Sequence, residues 1–136
     1  MLMSGFALSY VPSPAMPVTI SSMASDCLFC KIAAGEIPAK KVYEDANLLA
    51  FHDIDPKAPT HVLLIPRRHI SSLAAVCGED AGILAELLCT APTIAAQLGL
   101  ANGFRTVINT GPDGGQTVGH LHLHILGGRS MHWPPG

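Results

Sequence analysis

One stretch constrains the fold more than any other: Gly119-His-Leu-His-Leu-His-Ile-Leu126. Histidine alternates with an aliphatic residue, and strict alternation is the period of a β-strand. Residues i, i+2 and i+4 of a strand share a face. The spacing therefore predicts a strand over His120–Leu126 with His120, His122 and His124 on one surface and Leu121, Leu123 and Ile125 toward the core. A helix would spread the same imidazoles around its circumference. Alternate Cβ atoms of a strand lie roughly 6.5–7 Å apart, so three imidazoles can stand side by side over an anion the size of a phosphate.

The segment before this strand points the same way. Thr110-Gly-Pro-Asp-Gly-Gly-Gln-Thr-Val-Gly119 is turn-rich. Its glycines let main-chain N–H groups approach an anion, and Thr117 adds a hydroxyl. Imidazole serves as nucleophile, acid, base or ligand near neutral pH. An anion-receiving loop feeding a row of imidazoles reads as phosphoryl or nucleotidyl transfer; a solvated polar strand or surface metal patch would not need the glycine loop. Composition fits such a site. Charged residues are only 13% of the 136, against seven histidines and a net charge of −2. That balance gives no case for binding a nucleic-acid backbone, and the apolar runs fall far short of the ~20 residues of a membrane span.

The rest of the chain supplies a scaffold. None of the eight basic and ten acidic residues lies in Met1–Ser25, and this stretch, broken by Pro12, Pro14 and Pro17, is expected to be a flexible extension of a domain spanning 26–136. It lacks the basic n-region of a secretory signal and the arginines of a transit peptide. With four unevenly spread cysteines, the expected compartment is thiol-reducing and cytoplasmic. Asp26 is the expected cap of a short helix through Cys27–Ile32 that stops by Gly35. Lys41–Tyr43, Leu48–Asp53, His61–Pro66 and Phe104–Asn109 read as further strands, and a serine, Ser71 or Ser72, opens a short helical turn. A long helix is expected near Glu79–Leu98, with Ile83, Leu84, Leu87, Leu88, Ala91, Ile94, Ala95 and Leu98 on one stripe and a bend at Pro92. The sum is an α+β domain: a five-stranded antiparallel sheet with a long helix and a short N-terminal helix, both on one face. Cys77 and Cys89 read as buried small apolar residues. Arg67, Arg68, Lys40 and Lys41 read as solvated charges, and so does Arg129, ahead of a partner contact.

At this point the sequence resembles a known family. His120-Leu-His-Leu-His-Ile-Leu126 matches the histidine-triad pattern at every position. Phe51–His61, Asp113–His120 and Leu126–Gly136, ending in Trp133-Pro-Pro-Gly136, are similar to its nucleotide-binding branch. The resemblance covers about 26–136. It implies a purine nucleoside phosphoramidase that cleaves adenosine 5′-phosphoramidates and aminoacyl adenylates. His122 would be the nucleophile, with its other ring nitrogen bonded to the His120 carbonyl, and the product of attack a covalent nucleotidyl-histidine. His124 and His61 are the candidates for general acid. Phe29, Ile32, Phe51, His52, Asp53 and Ile54 would form the base and ribose pocket. Asn109, Gly115, Gln116 and Thr117, with His122 and His124, would lie on the phosphate side. Thr117 stands where many of these proteins have serine, and the hydroxyl is kept.

Cys27-Leu-Phe-Cys30 is a CxxC pair, half of a tetrahedral metal site. The resemblance implies that His69 and His120 complete a structural zinc site; metal-free thiols and a redox pair are the competing readings. No organic cofactor is implied. The implied partners are an AMP-like purine nucleotide and a second copy of the chain, the sheet continuing through a homodimer, with neither nucleic acid nor membrane. The competing functions are a dinucleoside polyphosphate hydrolase of the fragile-histidine branch and a non-catalytic nucleotide-binding or interaction protein. A galactose-1-phosphate uridylyltransferase would carry Gln in place of His124 and be much longer. An aprataxin-like deadenylase would show a zinc finger and a basic face.

Overall fold

The computed structural model describes residues 26–136; the expected N-terminal extension, 1–25, lies outside them. Within 26–136 the order is α1 (Leu28–Ala33), β1 (Lys41–Glu44), β2 (Leu48–His52), β3 (Thr60–Pro66), two 3-10 turns (Leu73–Ala75 and Gly78–Asp80), α2 (Ala81–Gln97), β4 (Phe104–Val107) and β5 (Leu123–Gly127). The five strands form one antiparallel sheet in the order β1-β2-β3-β5-β4. Ser72 caps the first 3-10 turn through its hydroxyl. The long helix runs as one element through Pro92.

The two helices cover opposite faces of the sheet, not one face as expected. On one side Leu87, Ala91, Ile94 and Ala95 of α2 pack on Leu48, Ala50, Val62, Leu64, Leu123 and Ile125. On the other, Phe29 and Ile32 of α1 pack on Leu49, Phe51, Leu63 and Ile65. The reason is in β2 and β3. Leu48–Phe51 and Val62–Ile65 are apolar at every position. Successive residues point to opposite faces, so the central strands present hydrocarbon on both sides, and both sides need cover. On α2, the stripe is split: Leu88 is 60% exposed, on the rim away from the core.

Two local expectations also change. Helix α1 is capped not by Asp26 but by the Cys27 sulfur, which accepts from the Cys30 amide at 3.3 Å. The histidine strand starts three residues late. β3 pairs with β5 only as far as Leu64↔Leu123. Beyond that point the His120 side chain takes the Pro66 carbonyl at 2.8 Å, and the Leu121 amide bonds to the Ile70 carbonyl instead. Residues 120–122 thus leave the ladder while keeping the alternation: Leu121, Leu123 and Ile125 are buried in the α2-side core, and the imidazoles lie on the α1 side.

Candidate active site and metal cluster

A cleft of about 1000 Å³ opens on the α1 side. Phe29 and Ile32 from α1, Phe51 and His52 from β2, and Asp53 and Ile54 beyond it form one part of its lining, with Leu28, Ile37, Pro38 and Lys40. His61, Thr117, His122 and His124 form another. Phe29 sets its edge against His122, with ring centroids 5.1 Å apart, and meets Phe51 at 5.5 Å. Phe29, Ile32 and Phe51 are therefore core residues and cleft residues at once, 4–7% exposed. Asn109, Gly115 and Gln116 do not line the cleft. Gln116 braces the loop: its carbonyl oxygen accepts from the Gly111 amide, and its amide nitrogen donates to the Ser71 and Val118 carbonyls. Gly114 is required for the same turn, because a Cβ there would fall 2.3 Å from the Thr110 oxygen.

The partners of each imidazole define its protonation. Carbonyls only accept, so a ring nitrogen bonded to one carries the proton. His122 Nδ1 donates to the His120 carbonyl at 2.7 Å. The Nε2 of neutral His122 therefore holds the free lone pair, in the cleft. His61 Nδ1 accepts from the Lys57 amide at 3.0 Å, so the His61 proton sits on Nε2 and is donated to His124 Nδ1 at 2.8 Å. His124 in turn carries its proton on Nε2, a buried atom with no hydrogen-bond partner. A buried donor without a partner costs free energy unless a ligand satisfies it. The chain Lys57 N–H, His61, His124 thus ends in a donor that lacks an acceptor beside the His122 lone pair.

Burial, then the neighbouring His122 and His61 rings, pushes the His124 pKa down to about 4, against a weaker pull from Asp53. Burial lowers His61 too, with Asp53 opposing. Both rings are neutral near pH 7. Asp53, His61 and His124 bring three potential ligand atoms together, but this trio does not suit a cation. His61 Nε2 bears the proton as long as the Lys57 amide occupies Nδ1, which leaves no lone pair for a metal.

The second cluster is different in kind. Cys27, Cys30, His69 and His120 place four ligand atoms within 4.8 Å of one another. Cys27 Sγ lies 3.3 Å from His120 Nδ1, Cys30 Sγ 3.2 Å from His69 Nδ1 and 3.5 Å from His120 Nδ1. A tetrahedral zinc with ordinary bond lengths sets S···N separations at roughly 3.5 Å. His120 Nε2 donates to the Pro66 carbonyl, so its Nδ1 lone pair points at the sulfurs, the outer contact that orients a ligating imidazole. The donor set fits a closed tetrahedral metal site. Without a cation, burial and the neighbouring Cys27 push the Cys30 thiol up to about 12; a dication would reverse that. Burial holds His120 down to about 4, the Pro66 carbonyl opposing.

Several residues read as bland have defined contacts. Arg67 donates to the Asp45 and Ala33 carbonyls and to Glu44, tying α1 to the β1–β2 turn. Arg68 pairs with Asp80. Arg129 donates to the Lys57 and Ser130 carbonyls. Cys77 and Cys89 are exposed, not buried: Cys89 falls off the apolar stripe of α2, and Cys77 lies ahead of that helix, just before the 3-10 turn Gly78–Asp80. The Lys57 amide escaped sequence reasoning altogether: it is main chain, and every residue but proline has one.

An antiparallel sheet with a row of three imidazoles on one face, beside a cleft and a Cys/His cluster, defines a class of small α+β proteins. A model of the HIT domain family matches residues 34–131, and the chain belongs to that family. An uncharacterized HIT-like protein of Synechococcus elongatus is 56% identical over 114 residues, 84% of this chain and 100% of its own. A 14 kDa zinc-binding protein of Zea mays is 50% identical over 114 residues, covering 82% of this chain and 89% of that protein. The crystal structure of a HIT family hydrolase from Legionella pneumophila matches at a TM-score of 0.80 and 54% identity, over 82% of this chain and 100% of that one. The fold, a five-stranded antiparallel sheet with a long helix, is the HIT fold. No helix among the described residues is long and apolar enough to cross a membrane.

Proposed function

We propose that the chain is a nucleotide hydrolase acting on phosphorus–nitrogen bonds, a purine nucleoside phosphoramidase with adenosine 5′-phosphoramidates and aminoacyl adenylates as its substrate class. One observation carries the reading: the His122 lone pair and the unsatisfied His124 Nε2–H occupy one cleft. His122 Nε2 attacks the α-phosphorus, forming a P–N bond to the ring while the bond to the substrate nitrogen breaks. The His120 carbonyl holds the Nδ1 proton throughout and stabilises the positive charge that develops on the ring.

The departing nitrogen needs a proton. Neutral His124 donates a hydrogen bond but has no proton to release. The substrate phosphate brings negative charge next to it, which raises its pKa, so that its Nδ1 takes a second proton from solvent while the His61 Nε2–H turns to the Asp53 carboxylate, 3.5 Å away. That imidazolium gives its proton to the leaving amine. Neutral His124 then takes one from water as the water attacks the nucleotidyl-histidine, releasing the nucleoside monophosphate and free His122. Phe29, Ile32 and Phe51 would hold the purine, Asp53 would accept from the ribose hydroxyls, and Asn109, Gly115, Gln116 and Thr117 would shape the phosphate side. Cys27, Cys30, His69 and His120 would hold a structural zinc, which supplies cross-linking of α1 to the triad segment and no step of the chemistry.

The active form is proposed to be a cytoplasmic homodimer. Strand β4 is an open edge with Phe104 39% exposed. Helix α2 carries a single charged side chain, Glu86, and presents exposed Leu88. Open edges and apolar faces of this kind are closed by two-fold pairing; sedimentation showing a monomer would end that part. Turnover of an adenosine 5′-phosphoramidate compared with a diadenosine polyphosphate tests the function. Strong preference for the former, lost in His122→Ala, is expected. Preference for the polyphosphate favours the fragile-histidine type of hydrolase, and nucleotide binding with no turnover of either leaves a binding protein.

A further inference from the structure

The direction of the His61–His124 pair is set in part from outside the cleft. Imidazole has two neutral tautomers of similar energy in water, and a pair of them can be polarised either way. With the proton on His61 Nε2, His124 presents an N–H to the cleft. Reversed, His124 would donate to His61 and present a lone pair, which repels a phosphate oxygen. Two groups favour the first of these states: the Asp53 carboxylate, 3.5 Å from His61 Nε2, and the Lys57 amide, 3.0 Å from His61 Nδ1.

Lys57 lies in an irregular loop between β2 and β3, where residues 54–57 are all exposed. From within, the loop is held by the Asp53 amide on the His61 carbonyl and the Asp55 amide on the Asp53 carboxylate. From outside, Arg129 reaches in from the turn after β5. Its Nη2 donates to the Lys57 carbonyl at 3.2 Å, while Nη1 donates to the Ser130 carbonyl at 3.1 Å. The turn itself is wedged against the loop. Gly128 has φ +88°, and a Cβ on it would fall 2.9 Å from the Pro59 Cβ, so that position accepts glycine alone.

We propose that Arg129 is a positioning residue for the His61–His124 pair: by holding the Lys57 carbonyl it keeps the Lys57 amide on His61 Nδ1 and so fixes a donor, not an acceptor, at the end of the chain in the cleft. The guanidinium suits the task because its planar fork engages both carbonyls at once. The inference deepens the proposed hydrolysis, and its activity readout rests on that reading; its structural readout does not.

The test is ¹⁵N NMR of the histidine rings in the full chain, beside steady-state turnover of an adenosine 5′-phosphoramidate, for wild type, Arg129→Ala and Arg129→Lys. Wild type is expected to show His61 as the Nε2–H tautomer alone. Arg129→Ala is expected to show a tautomer mixture at His61 and His124, with kcat down about tenfold and KM changed less than about twofold, as a small misplacement of a catalytic group does. Arg129→Lys, which keeps one donor, is expected to fall between, and serves alone should the alanine variant fail to fold. An unchanged tautomer in the variants overturns the proposal whether or not kcat falls, since a fall without it is a general structural effect. Absence of turnover in wild type would count against the hydrolase reading, while the tautomer comparison would still decide the role of Arg129.

Discussion

The two faces of the sheet are built from the same strands and do opposite things. On the α2 side, Leu48, Ala50, Val62, Leu64, Leu123 and Ile125 meet the helix with hydrocarbon alone. On the α1 side the neighbours of those residues meet a six-residue helix, and the row ends in imidazoles, thiols and a cleft. The first face gains from close packing and tolerates no polar atom. The second is polar at its centre and carries a buried donor without a partner, an arrangement that costs stability unless a ligand arrives. Stability and chemistry are divided by side-chain parity: a shift of one residue in strand register would exchange the two.

That division can be broken at four points, with the largest effect first. His122→Ala on the α1 side should lower phosphoramidate turnover by at least about a thousandfold, as loss of a covalent nucleophile does. Its thermal midpoint should stay near that of wild type. A large fall in midpoint would mean that the triad is part of the core. Leu64→Ala on the other face should do the reverse. It should cost about 2–5 kcal/mol of unfolding free energy by denaturant titration, with kcat of the folded fraction kept.

Metal is the next test. Protein purified without chelator should contain close to one zinc per chain, and Cys30→Ser should lower zinc affinity and thermal midpoint together. Zinc content near zero in wild type would leave the four side chains as a hydrogen-bonded cluster. The smallest effect is that of pH. His61 and His124 titrate below their ordinary 6.5 in the folded chain, His124 at about 4. Between about 4 and 6.5 the unfolded chain therefore binds more protons, so stability rises with pH across that window and is lost as pH falls through it. Urea unfolding between pH 4 and 7 should show this slope, and His124→Gln should reduce it. An unchanged slope would place the sensitivity elsewhere.

Which parts of this were legible in the sequence follows from what each part is made of. Alternation in 120–126 announced the imidazole face, because side-chain parity survives even where residues 120–122 leave the ladder. Local spacing announced α1, α2 and the turns. The unbroken apolar run Val62–Ile65 implies hydrocarbon on both sides of the sheet and so demands a second layer; the expectation of both helices on one face takes account only of its burial. Cys77 and Cys89 depart from expectation for a simpler reason: a cysteine's chemistry reveals neither its angle on a helix, as for Cys89, nor its place ahead of one, as for Cys77. The proton polarity of His61 and His124 was beyond reach, since it depends on a main-chain amide that no residue type marks. The same holds for Gln116, whose side chain is spent on the loop that carries it.

Helix α1 has one more consequence. Cys27 and Cys30 face the Cys/His cluster, while Phe29 and Ile32, interleaved with them, line the cleft and the core. Both sides of these few residues are committed, and consecutive residues differ by about 100° around a helix axis. A substitution can be absorbed one side chain at a time, but an inserted or deleted residue between 27 and 32 turns every later side chain to its neighbour's task, thiol toward the cleft and phenyl toward thiol. The segment can drift in composition; in length it is held fixed by two sites at once.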